Sequence, residues 1–205
     1  TGGTETTLTP QYNPVAADGG TVVTLTMTVS GNGSCVAAVD TQALTVTDAP
    51  TADAGAATAE TCENAAYTIA GSSATNSAGI FWTHDGAGTI TNATTLTPTY
   101  TPVAADGGTV VTLTMTVSGN GSCVAAVDTQ ALTVTDGPTA DAGAATAETC
   151  EDTSYTVAGA SVTNSSGILW THDGAGTITG GTETTLTPQY NPVAADGGTV
   201  VTLTM

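Results

Sequence analysis

Residues 109–118 read TVVTLTMTVS, and this stretch decides the fold. Val111, Leu113, Met115 and Val117 alternate with Thr112, Thr114 and Thr116. A period of two puts the four apolar side chains on one face, and β-branched threonine suits the other, so the pattern predicts a half-buried strand. Downstream, Leu132 and Val134 alternate with Thr133 and Thr135 in a second strand. Gly119-Asn120-Gly121-Ser122 between them reads as the turn of a hairpin. Upstream, Tyr67 and Ile69 point inward from another strand, Gly79-Ile80-Phe81-Trp82 opens the next, and Leu96 to Tyr100 gives one more. Asp85-Gly86-Ala87-Gly88 and Asp106-Gly107-Gly108 are turns. No segment keeps a 3.6-residue apolar period. About seven short strands, with turn signals every 8–12 residues, predict an all-β immunoglobulin-like sandwich. Trp82, and Trp170 in the next copy, fit its central core position better than a ligand platform.

The hairpin is one of several copies. Residues 14–48 recur letter for letter at 102–136, and residues 1–27 recur at 179–205. The repeat is therefore about 88–90 residues long, and two slightly different versions alternate. Boundaries fall at Asp48-Ala49-Pro50 and Asp136-Gly137-Pro138, where proline suits a seam. This divides the chain into the C-terminal part of a repeat (1–48), a whole repeat (49–136) and the N-terminal part of the next (137–205). The first and third pieces begin and end inside a strand, so the sequence is expected to come from a longer tandem array.

Composition narrows the function. The chain of 205 residues has no Lys or Arg, 18 Asp plus Glu, and a formal net charge of −18. Without cationic side chains it cannot clamp phosphates, so nucleic acid and anionic membrane surfaces are poor partners. Schiff-base lysines, P-loop lysines and Lys–Asn isopeptide crosslinks are excluded for the same reason. No apolar run approaches about 18 residues, so membrane insertion is not expected in this window. Like charge keeps neighbouring copies of such a chain apart, screened beyond about 10 Å at 0.1 M salt.

No catalytic set emerges. His84-Asp85 and His172-Asp173 are neighbours on strands, and strand neighbours point to opposite faces. Each His reads as half-exposed at a strand end. No G-x-S-x-G elbow is present. Glu60, Glu63, Asp53 and Asp106 are scattered over turns and seams and form no carboxylate pair for glycoside hydrolysis. Calcium is the one cofactor to weigh, with Asp48, Asp53, Asp136 and Asp141 as candidate ligands at the two linkers. Solvated turn acids are the plainer reading, since no D-x-D-x-D run exists.

Cysteine occurs twice per repeat. Cys35 and Cys123 lie in the GNGSC turn, and Cys62 and Cys150 in the AETC segment. An even, regularly spaced count reads as disulfides and an oxidising compartment, with four free thiols as the alternative. In a sandwich the two segments lie at opposite ends of a module, roughly 25 Å apart for strands of eight residues. A disulfide needs Cα atoms within about 7 Å, so Cys62 with Cys123 is strained. Cys62 with the turn cysteine of the following repeat would staple modules end to end.

A family resemblance joins these readings. TADAGAATAETCE (139–151), SYTVAG (154–159), ILWTHDGAGTIT (168–179), TLTPQYNP (185–192), VTLTMTVSGNGSC (111–123) and ALTVT (131–135) together resemble the polycystic-kidney-disease-type Ig-like repeats of bacterial surface proteins. They most resemble those of giant SprB-type gliding and adhesion proteins of Bacteroidota, exported by type IX secretion. The resemblance implies an extracellular, cell-surface filament or adhesin stalk that projects a distal adhesive tip and is not an enzyme. Its partners would be neighbouring repeats of the same chain and identical filaments. Two alternatives are a multivalent polysaccharide-binding array and an accessory region of a secreted hydrolase.

Overall fold

A computed structural model describes residues 6–205. The chain divides into two compact units, Thr1–Thr135 and Asp136–Met205.

Among the described residues, the first unit has eleven strands: β1 (Thr21–Val29), β2 (Ala38–Val46), β3 (Thr51–Asp53), β4 (Thr58–Cys62), β5 (Tyr67–Thr68), β6 (Ser73–Thr75), β7 (Ser77–His84), β8 (Thr89–Thr91), β9 (Thr99–Thr101), β10 (Thr109–Gly119) and β11 (Ala126–Thr135). The largest sheet has the order β4-β11-β10-β7. Within it β10 runs antiparallel to both β11 and β7, whereas β4 runs parallel to β11. The other strands form a β3-β6 pair and a three-stranded β5-β9-β8 sheet. Val111, Leu113, Met115 and Val117 of β10 are fully buried, as the period of two predicts. They pack with Leu132, Val134, Trp82, Tyr100, Ile69 and Ala54 in one core. The result is an all-β, sandwich-like unit.

One expected strand is shorter than its sequence pattern. Only Thr99–Thr101 of Leu96–Tyr100 pairs as strand, and Leu96 is 39% exposed. Pro98 is fully buried and has no amide to give a ladder; its carbonyl instead accepts from the Ile69 amide at 3.0 Å. The short strands β3, β6 and β8 lie in Ala-, Ser- and Thr-rich stretches whose apolar alternation is too weak to announce them.

The second unit repeats the pattern in part, with β12 (Thr139–Asp141), β13 (Tyr155–Thr156), β14 (Ser161–Thr163), β15 (Thr171–His172), β16 (Thr177–Ile178), β17 (Gln189–Asn191) and β18 (Leu203–Thr204). Its sheets are β12-β14, β13-β17-β16 and β15-β18. Trp170, Tyr190 and Val157 are its buried apolar residues.

The letter-for-letter copies form an internal control. In β1–β2, Thr21 faces Val46 and Val29 faces Ala38; in β10–β11, Thr109 faces Val134 and Val117 faces Ala126. The same 35 residues therefore choose the same register twice. Burial differs: Met115 is fully buried, whereas its counterpart Met27 is 53% exposed. Residues 1–13 match 91–101 with two residues added, so it is residues 49–90, which bring Ala54, Ile69 and Trp82 to the core of the middle copy, that have no counterpart ahead of the first hairpin in these 205 residues. Register is thus a local property of the hairpin, set by side-chain alternation and the turn. Burial depends on the strands brought against it.

This contrast yields a paired prediction. Met115→Ala should cost about 2–5 kcal/mol, the range for emptying a buried Met site. Met27→Ala, at an exposed copy of the same sequence, should cost less than about 1 kcal/mol. Denaturant unfolding followed by Trp82 fluorescence in a W170F background measures both; equal costs would contradict the assignment of the core.

Candidate functional site

The most organised polar arrangement lies where the turn after β7 meets the corner between β9 and β10. Asp106 ends a single 3-10 turn, Ala104–Asp106, and is 2% exposed. Its Oδ2 accepts from the Tyr100 hydroxyl at 2.8 Å and from the Val103 amide at 3.1 Å. Its Oδ1 accepts from the Ala87 amide at 2.7 Å. The Tyr100 hydroxyl in turn accepts from the Gly88 amide at 2.9 Å. Glycine is required here: a Cβ on Gly86 would lie 2.2 Å from the Tyr100 hydroxyl oxygen, and one on Gly88 would lie 2.2 Å from the Thr101 carbonyl oxygen. The DGAG segment is therefore a turn cut to fit against a tyrosine.

Electrostatics follow from this geometry. Burial pushes the Asp106 carboxyl up, but donors from Ala87, Val103, Tyr100 and Gly88 outweigh it and hold the group below its ordinary 3.8. Burial and the hydrogen bond to Asp106 push Tyr100 up to about 12. The carboxylate has donors on both oxygens, so its chemistry is that of a clamp joining two chain segments.

The clamp recurs. Tyr12 donates to Asp18 at 2.7 Å and Tyr190 to Asp196 at 2.9 Å. Amides of Val15 and Val193 complete those corners at 2.9 and 3.1 Å. The first copy forms the corner although Tyr12 is 36% exposed, so the Tyr-x5-Asp spacing builds it locally.

The remaining candidate residues are dispersed. The ring of His84 lies 4.9 Å from that of Tyr100, and His172 lies 5.0 Å from Tyr190. The Nδ1 atoms of both histidines are buried without a partner. Asp85 and Asp173 turn to the amides of Thr112 and Thr202, each at 2.7 Å. Trp82 and Trp170 are 1% and 3% exposed, and their Nε1 atoms donate to Thr95 and Thr185 carbonyls. Asp48, Asp53, Asp136 and Asp141 are exposed. Asp53 and Asp141 accept from the amides of Gly55 and Gly143 at 2.9 Å, as local turn acids. Among the described residues, no three His, Cys, Asp or Glu gather as a metal site.

The linker before the middle repeat is pinned from below. Asn76, held at φ 51°, donates from Nδ2 to the Ala49 carbonyl at 3.0 Å. Asn120 donates to the Asn76 carbonyl at 3.1 Å. Cys123 Sγ lies 3.5 Å from Asp48 O and 3.6 Å from Thr47 O. Asn164, also at φ 51°, makes the matching bond to Gly137 in the second unit at 3.3 Å. Asparagine tolerates this left-handed backbone better than most residues, which is the signal its isolated position carried.

All four cysteines are free thiols, so the expected disulfides do not join any of these four to one another. The placement accounts for it. Cys62 faces Thr135 at the end of β11, and Cys123 precedes the start of that strand. Ten residues of strand, about 33 Å, lie between those ends.

No family model matches this chain, and no curated protein matches it.

Sequence reading missed two further pins. Gln130, fully buried on β11, donates to the Ala56 carbonyl at 2.7 Å, and Asp128 accepts from the Ala54 amide at 2.7 Å. Both tie the TADAGAATAE segment to the hairpin. A polar residue at the apolar phase of a strand was the available signal.

The clamp gives predictions for stability and for its pH dependence. Asp106→Ala leaves the Ala87 and Val103 amides and the Tyr100 hydroxyl without their acceptor, and should cost about 2–4 kcal/mol; Gly86→Ala should cost about 1–3 kcal/mol through overlap with Tyr100. Thermal unfolding of the full chain measures each. The pH profile has two edges. A carboxyl held low contributes fully above 3.8 and loses its contribution as pH falls through its lower folded value. A phenol held high contributes fully below 10.0 and loses its contribution as pH rises toward about 12. In Tyr100→Phe the alkaline fall in Tm between pH 10 and 12 should shrink; an unchanged fall would contradict the clamp.

Proposed function

We propose that this chain is a stretch of tandem Ig-like repeats from an extracellular, cell-surface filament or adhesin stalk, whose work is to hold a distal tip at a distance. The observation that carries this reading is repetition of geometry. Identical segments take identical register, the Tyr–Asp corner forms three times, and the Asn-to-linker bond recurs at both linkers. A spacer needs the same shape again and again; a diversified binding array needs different sites. The carbonyls of Thr47 and Asp48 lie against the Cys123 thiol of the repeat that follows, and Asn76 holds the first residue of that repeat, Ala49, which takes slack out of the joint. An acidic chain without cations suits a filament that must stay apart from its neighbours. The sequence resemblance to surface-adhesin repeats adds to this reading, and the protein acts without catalysis.

The polysaccharide-binding alternative needs an exposed aromatic platform in every repeat. Phe81, 54% exposed on β7, is the best candidate. Its counterpart in the next repeat is Leu169, so the platform is not kept. Avidity gains little from a site that does not recur. On a glycan array the chain should show no ligand at micromolar concentration. Retention on a polysaccharide that Phe81→Ala abolishes would replace the stalk with the binding array.

A further inference from the structure

The two cysteines of each repeat lie beside equivalent points of the repeated chain, one on each side of a seam. Cys62 ends β4 and faces Thr135 across the parallel ladder, and the Glu63 amide donates to the Thr135 carbonyl at 3.0 Å. Cys123 lies at the other end of its repeat, with Sγ 3.6 Å from Thr47 O and 3.5 Å from Asp48 O. Thr47 and Asp48 occupy in the first copy the places that Thr135 and Asp136 occupy in the second, because residues 14–48 and 102–136 are identical. Carrying one repeat onto the other therefore brings two cysteines to one threonine. The AETC cysteine reaches it as a strand neighbour from its own repeat. The GNGSC cysteine reaches it from the repeat that follows.

We infer that the AETC cysteine of one repeat and the GNGSC cysteine of the next form a disulfide across the linker wherever the repeat continues. Both cysteines are thereby brought beside the same threonine, and the disulfide requires their Cα atoms to lie about 4.4–6.8 Å apart. Bond formation removes one hydrogen from each thiol. The two electrons and two protons pass to a disulfide-class oxidant, which is reduced to two thiols as the new S–S bond forms. Cys62 and Cys123 cannot satisfy one another, since the length of β11 separates them. Among the four cysteines of these 205 residues no such pair is complete, which agrees with all four being free. The crosslink rests on the tandem-repeat part of the proposed function and is independent of the stalk role.

The test extends the full chain after Met205 by a copy of residues 28–48, which completes the third repeat and adds one GNGSC cysteine. The protein is folded, oxidised with glutathione disulfide, alkylated, and digested with pepsin, because it has no tryptic site. One crosslinked peptide pair should appear, joining Cys62 to the added cysteine, with Cys35, Cys123 and Cys150 alkylated. In Cys62→Ser the added cysteine should be alkylated as well. A Cys62–Cys123 pair, any other pairing, or five alkylated cysteines after oxidation would overturn the staple. Scattering on the same oxidised and reduced samples separates the two readings: an extended particle without the crosslink removes the staple and leaves the stalk.

Discussion

The antiparallel pairing of β10 with β11 is the constraint on which the first unit depends. It supplies Val111, Leu113, Met115, Val117, Leu132 and Val134 to a core otherwise made of Trp82, Tyr100, Ile69 and Ala54. Its register follows from side-chain alternation and the turn, since the identical β1–β2 hairpin pairs the same way while its apolar face is largely uncovered. Everything else is laid against this pair: β7 along one edge, β4 along the other, and the short strands across its buried face. The hairpin sets which side is inside, and the polar clamps fix how the covering segments lie on it.

Those clamps are of two kinds. The Tyr–Asp corner is local, its two residues six positions apart, and forms wherever its sequence occurs. Gln130 and Asp128 act over 74 residues and bind the segment at 54–56 to β11. Their counterparts Gln42 and Asp40 are exposed in the first copy, where no such segment meets them. Buried polar groups of this sort are costly when unpaired. They therefore reward one arrangement of the covering strands over others.

Strands with strong alternation, their turns and the central Trp could be read in the sequence, because periodicity and turn chemistry are local signals. The weak strands could not. Segments such as Thr51–Asp53 and Ser73–Thr75 carry small residues and gain their identity only by pairing with one another across 24 residues. Leu96 misled because an apolar residue beside Tyr100 suggests a longer strand, whereas Pro98 breaks the ladder between them. The linker pins were hidden as well: nothing in the letters shows that Cys123 reaches the carbonyls of Thr47 and Asp48 while Asn76 reaches that of Ala49.

The functional account reduces to whether pinned linkers and duplicated corners add up to stiffness. Small-angle scattering compares the 205-residue chain with versions lengthened by one and by two whole repeats. Strands of ten residues give a repeat about 33 Å long, so the maximum dimension should grow by about that amount with each addition. Growth that falls off with each repeat, as in a chain of freely jointed modules, would contradict the account.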